Sequence, residues 1–272
     1  MKIYMSYWSG GYQGTPSEYI VDLHKLSAYY VLKHYGEITL ITDSKSKPLF
    51  ENSPFTTITT ELDVLTDVKN KNWALGKLYA YYNIAQKQEP FLHLDYDVLL
   101  MEPIEKSYEN KQILVQSTET HAYRHYQLEK FYENIGENTE FVKPEENHMA
   151  YNMGIFGGTE YKFIQNYAES ALEFSLNPKN EKVFDVMHEY RTWAPATITE
   201  QYYLWVMAKK YGIPVTEYLI ANDADEDSRR QLEMDAQRKG YVHLLATKND
   251  STVKRRVYEV LAEFSKKEKV NV

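Results

Sequence analysis

The sequence predicts an α/β fold, a Rossmann-like and mostly parallel sheet flanked by helices. Two observations carry that reading. Short β-branched runs alternate with amphipathic helical stretches through the first hundred residues, and strand–helix–strand order implies parallel pairing with helices on both faces. In addition, no internal repeat, low-complexity linker or composition break interrupts the chain, so residues 1–272 are expected to form one continuous domain.

The elements follow in order. Ile3–Trp8 reads as a first strand, and Ser9-Gly10-Gly11-Tyr12-Gln13-Gly14-Thr15-Pro16 is rich in turn formers. Pro16 and Ser17 open a helix with Tyr19, Leu23, Leu26 and Tyr30 at three-to-four spacing, closed by Gly36. Ile38–Thr42 is a β-branched strand ending at Asp43, and the threonine-rich Phe55–Leu62 reads as a strand near an edge. Asn72–Gln88 is helical, with Ala74, Leu78, Tyr81 and Ala85 on one face, and Pro90 stops it before a strand ending at Asp95. The second half is less regular. Strands are expected at Gln112–Ser117, Met149–Phe156, Ile213–Leu219 and Tyr241–Leu245, and helices at Thr159–Ser175, Thr199–Tyr211 and Val253–Lys267. Ser117–Pro144 resists assignment, Asn177–Pro195 reads as an inserted excursion, and Lys266–Val272 as a frayed tail.

Composition narrows the function. The net charge of −8 argues against a nucleic-acid or anionic-membrane binder, which needs a basic footprint. With no cysteine there is no disulfide, thiolate zinc site or cysteine nucleophile. The start Met1–Trp8 lacks the apolar core and cleavage site of a signal peptide, and no apolar run approaches the ~18 residues of a membrane span. A cytoplasmic protein is therefore expected. Most of the 25 tyrosines should pack cores, while some could line a sugar-binding cleft.

The most informative stretch is Phe91-Leu92-His93-Leu94-Asp95-Tyr96-Asp97-Val98-Leu99-Leu100. Along an extended chain residues i and i+2 share a face, so Asp95 and Asp97 would project together from a strand end. Two like charges beside a core are unfavourable unless a cation lies between them. A divalent metal carrying a phosphate ligand is the simplest occupant; capping of turn amides is the plainer alternative. In parallel sheets ligands bind beyond the carboxyl ends of the strands, where Ser6, Tyr7 and Asp43 also fall. The pair also resembles the first motif of haloacid-dehalogenase-type phosphatases. That motif normally sits on the first strand, whereas this pair follows about ninety residues of α/β chain. The acidic loop Asn222–Ser228 lacks the glycine and glutamate of an EF-hand and reads as a turn capping an Arg229–Lys239 helix.

Tyr79-Ala80-Tyr81-Tyr82 through Leu100 resembles the helix–strand–Asp-x-Asp signature of GT-A fold glycosyltransferases, in particular the galactosyltransferase/glycogenin-like and capsular-polysaccharide mannosyltransferase-like groups. Three further pieces occur in the family's order. Tyr151-Asn152-Met153-Gly154-Ile155-Phe156-Gly157-Gly158 resembles its Asn-x-Gly strand, Thr199-Glu200-Gln201 its acidic-Gln pair, and Val242-His243-Leu244-Leu245-Ala246-Thr247-Lys248 its His-x-x-Gly-x-x-Lys segment. In the last piece Ala246 replaces Gly and Lys248 comes one position early. Each piece also has a structural explanation: backbone pairing for Asn152, N-terminal capping for Thr199 and Glu200, a solvated helix for Lys77.

The resemblance implies a GT-A-like domain with a nucleotide-binding half over residues 1–100 and an acceptor-side half over 101–265. It implies a nucleoside-diphosphate sugar donor, a glycan or other hydroxyl acceptor, and a role in polysaccharide biosynthesis. Asp95, Asp97 and His243 would hold Mn2+ or Mg2+, with imidazole favouring Mn2+. Ser6, Tyr7 and Asp43 would hold base and ribose, Lys77 and Lys248 the phosphates, and Asn152 the donor sugar, with Gly157 of the same segment also substrate-binding. In a retaining, hexosyltransferase-type reaction Gln201 would stabilise the anomeric centre and Glu200 position sugar hydroxyls; in an inverting one Glu200 would be the general base. A catalytically silent domain that binds a nucleotide sugar or glycan is the alternative from another class.

Overall fold

The chain begins with β1 (Lys2–Ser6), α1 (Glu18–Tyr35), β2 (Thr39–Ile41), α2 (Lys47–Phe50), β3 (Thr57–Thr59), α3 (Ala74–Gln86) and β4 (Phe91–Leu94). It continues with β5 (Val98–Leu100), β6 (Ile113–Glu119), α4 (Ala122–His125), α5 (Leu128–Asn134), β7 (Ala150–Gly158), α6 (Tyr161–Leu176), α7 (Glu181–Tyr190) and α8 (Ala194–Thr197). A π-helical turn (Ile198–Tyr202) then leads into α9 (Tyr203–Tyr211), followed by β8 (Val215–Glu217), α10 (Glu226–Arg238), β9 (Tyr241–His243) and α11 (Ser251–Val270). This computed structural model describes residues 1–12, 16–68, 72–136, 141, 148–220, 225–245 and 247–270. Ala246 and parts of the Asn222–Ser228 and Ser117–Pro144 segments lie outside the described residues.

Seven strands form one sheet in the order β3-β2-β1-β4-β7-β6-β8. Every neighbouring pair is parallel except those made by β7, which runs against β4 and β6. The expected mostly parallel sheet is thus present with one reversed strand. Period-2 alternation divides the core. Ile3, Met5, Leu92, Leu94 and Leu114 pack with Val21, Ala28 and Val31 of α1 on one face. Tyr4, Phe91, Ile113 and Val115 face Leu78, Ile164 and Leu204 of α3, α6 and α9. Burying one such aliphatic side chain contributes about 1.5–3 kcal/mol.

Helix α1 ends where the sequence places its stop. Gly36 adopts φ +73° and its N–H bonds the Leu32 carbonyl at 3.0 Å, a left-handed cap that a Cβ would disfavour. The edge strand shortens to Thr57–Thr59, because Glu61–Leu65 turns into a 3-10 helix that buries Leu62 and Leu65. Asn177–Pro195 is no excursion: α7 turns Val183, Phe184 and Met187 into the core. Helix α11 runs to Val270, and its Val257 packs with Leu23, Leu26, Leu99 and Leu244.

One pairing positions the site. Strands β5 and β9 form a separate antiparallel pair with Val98 opposite His243, and the Leu244 amide bonds the Asp97 carbonyl at 2.9 Å. It brings His243 beside the carboxyl end of β4. No helix among the described residues is long and apolar enough to cross a membrane.

Candidate functional site

Asp95 and Asp97 flank the tight turn between β4 and β5, where the Val98 amide bonds the Asp95 carbonyl at 3.0 Å. With His243 they form a group whose ligand atoms all lie within 4.8 Å of one another. Asp97 is buried; His243 Nε2 lies 3.4 Å and Lys248 Nζ 2.7 Å from its two oxygens. Burial pushes the Asp97 carboxyl up, but the His243 ring and the Lys248 ammonium outweigh it and hold the group well below the carboxylate range.

The His243 ring has a fixed orientation. Gln116 Oε1 accepts from the Tyr241 hydroxyl at 2.6 Å and faces His243 Nδ1 at 2.7 Å. An amide oxygen has no proton to give, so Nδ1 is the donor, and when the ring gives up its second proton, as metal ligation requires, the lone pair is on Nε2. That buried Nε2 is too far from Asp97 for a good hydrogen bond and has no other partner among the described residues. Two carboxylates and a free imidazole nitrogen fit a hard or borderline divalent cation. Gly154 makes the arrangement possible, because a Cβ there would sit 2.8 Å from His243 Nδ1 and drive into Gln116 Oε1. The ladder is irregular at this point. Between Val115↔Phe156 and Ser117↔Asn152, β6 advances two residues and β7 four, while on the other edge of β7 the Gly154 carbonyl continues the β4 ladder by accepting from the Asp95 amide at 3.0 Å.

Lys77 reaches in from α3. Its Nζ lies 2.6 Å from Asp95 Oδ1 and 3.2 Å from Glu200 Oε1, so it is no solvated helix lysine. Burial opposes its charge, yet the two carboxylates outweigh burial and raise its affinity for the proton. Glu200 is fully buried, and burial pushes its carboxyl up against the pull of Lys77. Its Oε1 also accepts from Tyr81 at 2.8 Å, while Tyr167 bonds its backbone carbonyl at 2.7 Å. Glu200 and Gln201 sit on the π-turn, a local widening of the helix common at functional sites. Thr199 is not an N-cap: its hydroxyl bonds the Pro195 carbonyl at 2.9 Å and receives Asn72 Nδ2 at 2.9 Å.

A cavity of about 540 Å³ joins these parts, lined by Lys77, Asp95, Asp97, Asn152, Gln201 and His243 among others. Lys248 also reaches it, whereas Glu200 stays behind the wall. A chain of polar contacts runs along one side. Asn152 bonds Glu119 Oε1 at 2.9 Å, Tyr126 bonds Glu119 Oε2, and the Tyr126 hydroxyl lies 2.8 Å from Gln201 Oε1. Asn152 Oδ1 meanwhile accepts the Gly154 amide at 3.1 Å.

A smaller recess is lined by Ser6, Tyr7, Trp8, Trp73, His93 and Asp95. Ser6 Oγ is held by His93 Nε2 at 2.9 Å, and the Tyr7 ring packs on Phe50 at 5.4 Å. Two expected residues stand apart. Asp43 accepts the Ser9 and Ser46 amides at 2.7 and 2.8 Å, one on each oxygen, and lines neither space. Gly157 lies in mid-sheet, where a Cβ would meet the Phe91 backbone, so it serves close strand approach. Sequence reasoning missed Gln116, Glu119 and Tyr126. Gln116 carried a signal, a polar residue ending the apolar run Ile113-Leu114-Val115; Tyr126 carried none among so many tyrosines.

No curated protein matches this sequence. Among solved structures, the galactosyltransferase LgtC in complex with donor and acceptor sugar analogs superposes with TM-score 0.50 at 12% identity, covering 97% of this chain and 96% of that one. A glycosyltransferase involved in the glycosylation of the major capsid of PBCV-1 gives TM-score 0.43 at 12% identity, over 95% and 100% of the two chains. Mouse xyloside xylosyltransferase 1, in its apo form, gives 0.42 at 13%, over 79% and 84%. The likeness to LgtC shows the GT-A glycosyltransferase fold that the ordered motifs imply. Over residues 1–268 the chain matches the family of unknown function DUF6734, and it belongs to that family.

Proposed function

We propose that this protein is a metal-dependent glycosyltransferase, moving a hexose from a nucleoside-diphosphate sugar to a hydroxyl acceptor in polysaccharide biosynthesis, with residues 1–272 acting as one domain. The observation that carries the reading is the placement of Asp95, Asp97 and His243 at one end of the cavity that also exposes Asn152 and Gln201. Those three residues would hold Mn2+, which supplies charge neutralisation for a departing diphosphate. Lys248, at the cavity edge, adds a second positive charge for the phosphate oxygens. Ser6 and Tyr7 border the recess for base and ribose, with Trp73 as a flat wall. Asp43 shapes that region only indirectly, by fixing the Ser9 amide.

In the transfer, the acceptor oxygen bonds the anomeric carbon as its bond to the β-phosphate oxygen breaks. The bonding pair leaves on the diphosphate, which takes up the hydroxyl proton. A retaining course is favoured by the burial of Glu200, which is sealed from the cavity and engaged by Lys77 and Tyr81 and so cannot reach an acceptor hydroxyl as a base. Glu200 instead positions Lys77 and, through the π-turn, Gln201. The Tyr126 hydroxyl has one proton, and the Glu119 carboxylate is its stronger acceptor. Turning the Gln201 amide over from the orientation described above would let its nitrogen donate to the Tyr126 hydroxyl and leave its carbonyl oxygen for the anomeric centre. A silent binding domain has one observation in its favour: Lys77 and Lys248 already neutralise Asp95 and Asp97.

Release of free sugar and nucleotide from UDP-, GDP- and CMP-sugars, read by NMR with and without Mn2+, tests the proposal. Metal-dependent turnover of a UDP- or GDP-sugar is expected, and turnover of the CMP-sugar alone, which carries a single phosphate, would contradict the diphosphate donor. Metal-dependent binding without turnover would establish the silent domain instead, and absence of both would sink the reading.

A further inference from the structure

Another part of the same cavity's lining has a chemistry of its own. Rings of Trp193 and His125 stack at 4.9 Å and 26°, and Tyr126 meets Trp193 edge-on at 6.0 Å. The Arg191 guanidinium lies 5.2 Å from the Trp193 ring and 5.6 Å from Tyr190. All but Tyr190 line the cavity.

Charge pairing sets Arg191 apart. The cavity's other fixed cations are engaged, Lys77 by Asp95 and Glu200 and Lys248 by Asp97. Glu119, the nearby carboxylate, is taken by Asn152 and Tyr126. Among the described residues Arg191 has no carboxylate partner, although the chain carries a net charge of −8. A guanidinium braced on two aromatic faces is preorganised and only weakly hydrated, which suits a carboxylate or phosphate. Its backbone is held as well, since the Arg191 amide closes α7 on the Met187 carbonyl at 2.9 Å.

Position separates this wall from the phosphate end. A contact path leads from Asp95 through Lys77 to Glu200, from its neighbour Gln201 to Tyr126, and on to Trp193 and Arg191. Arg191 is thus linked to the carboxylates through Gln201 and Tyr126, and no direct contact with Asp95 or Asp97 is seen among the described residues. We propose that Trp193, His125 and Arg191 form the acceptor subsite, selecting a hexose that carries an anionic group. The pyranose C–H face rests against the outer face of the Trp193–His125 stack, and a uronate carboxylate or phosphate ester pairs with Arg191. The assignment to the acceptor rests on the glycosyltransferase reading above.

The test is an NMR titration of the whole chain with methyl glucuronoside, glucose 6-phosphate and methyl glucoside, beside a titration with UDP and Mn2+. One or both anionic sugars should bind at least about tenfold more tightly than methyl glucoside, as a charge-assisted hydrogen bond allows. Which one binds separates uronate from phosphate ester. Arg191→Gln, at an exposed position, should erase that preference, and Trp193→Ala should weaken all three sugars about tenfold. Equal binding of charged and neutral sugars, or a preference that survives Arg191→Gln, would overturn the subsite. So would an equal loss of UDP affinity in Arg191→Gln, which would assign the arginine to the donor. UDP binding without sugar preference defeats the subsite alone. Sugar preference without any metal-dependent UDP binding defeats the transferase reading and, with it, the acceptor assignment.

Discussion

Gly154→Ala is the sharpest local test of the metal site. The added methyl would lie 2.8 Å from both Nδ1 and Cε1 of His243 and collide with Gln116 Oε1. Real Cβ contacts need about 3.4 Å or more, so the ring and the amide must retreat by several tenths of an ångström. Both are pinned, Gln116 by the Tyr241 hydroxyl at 2.6 Å and His243 by the β5–β9 pairing. Retreat therefore breaks the Gln116–His243 contact that directs Nε2 toward Asp97. Losing such an outer partner costs about 10- to 100-fold in metal affinity, equivalent to roughly 1.4–2.7 kcal/mol. Overpacking should lower folding stability by about 1–3 kcal/mol as well. Mn2+ binding followed by electron paramagnetic resonance reads the first effect, and urea denaturation without metal reads the second. Gln116→Leu removes the same contact without the methyl, so the double variant should bind Mn2+ no worse than the weaker single one. Wild-type Mn2+ affinity in Gly154→Ala, or full additivity with Gln116→Leu, would refute the argument.

Other outcomes follow from the same contacts. Lys77→Met strands the buried Glu200 carboxylate and should cost about 3–5 kcal/mol in urea denaturation; a loss below about 1 kcal/mol would show that Glu200 needs no cation. Gly157→Ala presses a methyl on the Phe91 backbone and should reduce stability by about 1–3 kcal/mol without changing Mn2+ affinity relative to wild type, checked by thermal melting and metal titration. Buried His24 has its pKa pushed down to about 4 by burial. Between that value and the ordinary 6.5 the unfolded chain binds more protons, so stability present above pH 6.5 is lost as pH falls toward 4, by about 3 kcal/mol in all. His24→Gln should flatten this part of the stability–pH curve, and an unchanged slope would contradict the assignment.

Much of the fold could be read from local pattern because local forces decide it. The α1 stop at Gly36, the Leu78–Tyr81 face of α3 and the edge position of β3 follow from periodicity and turn chemistry. Helix α7 was misread although Val183, Phe184 and Met187 carry helical spacing, since its exposed charges mask a short apolar face. The site was legible only in part. Asp95 and Asp97 announce themselves, because carboxylates rarely interrupt an apolar strand. Lys77 does not, for nothing in a helix sequence tells a solvated lysine from one threaded between two distant carboxylates. The β5–β9 pairing and the π-turn at Glu200 are likewise tertiary outcomes, with no local signature. Asp43 and Gly157 show the converse, strong local signals that the structure engages in backbone capping and close strand approach.

The central claim is that Asp95, Asp97 and His243 hold a cation that in turn holds a nucleotide sugar. Isothermal titration of UDP-, GDP- and CMP-sugars into wild type and Asp97→Asn, each with and without Mn2+, tests it directly. The account predicts that one donor class binds wild type only with Mn2+, and that Asp97→Asn, with its circular dichroism unchanged, loses this metal-dependent part. Equal affinity in the two proteins, or binding indifferent to Mn2+, would contradict it.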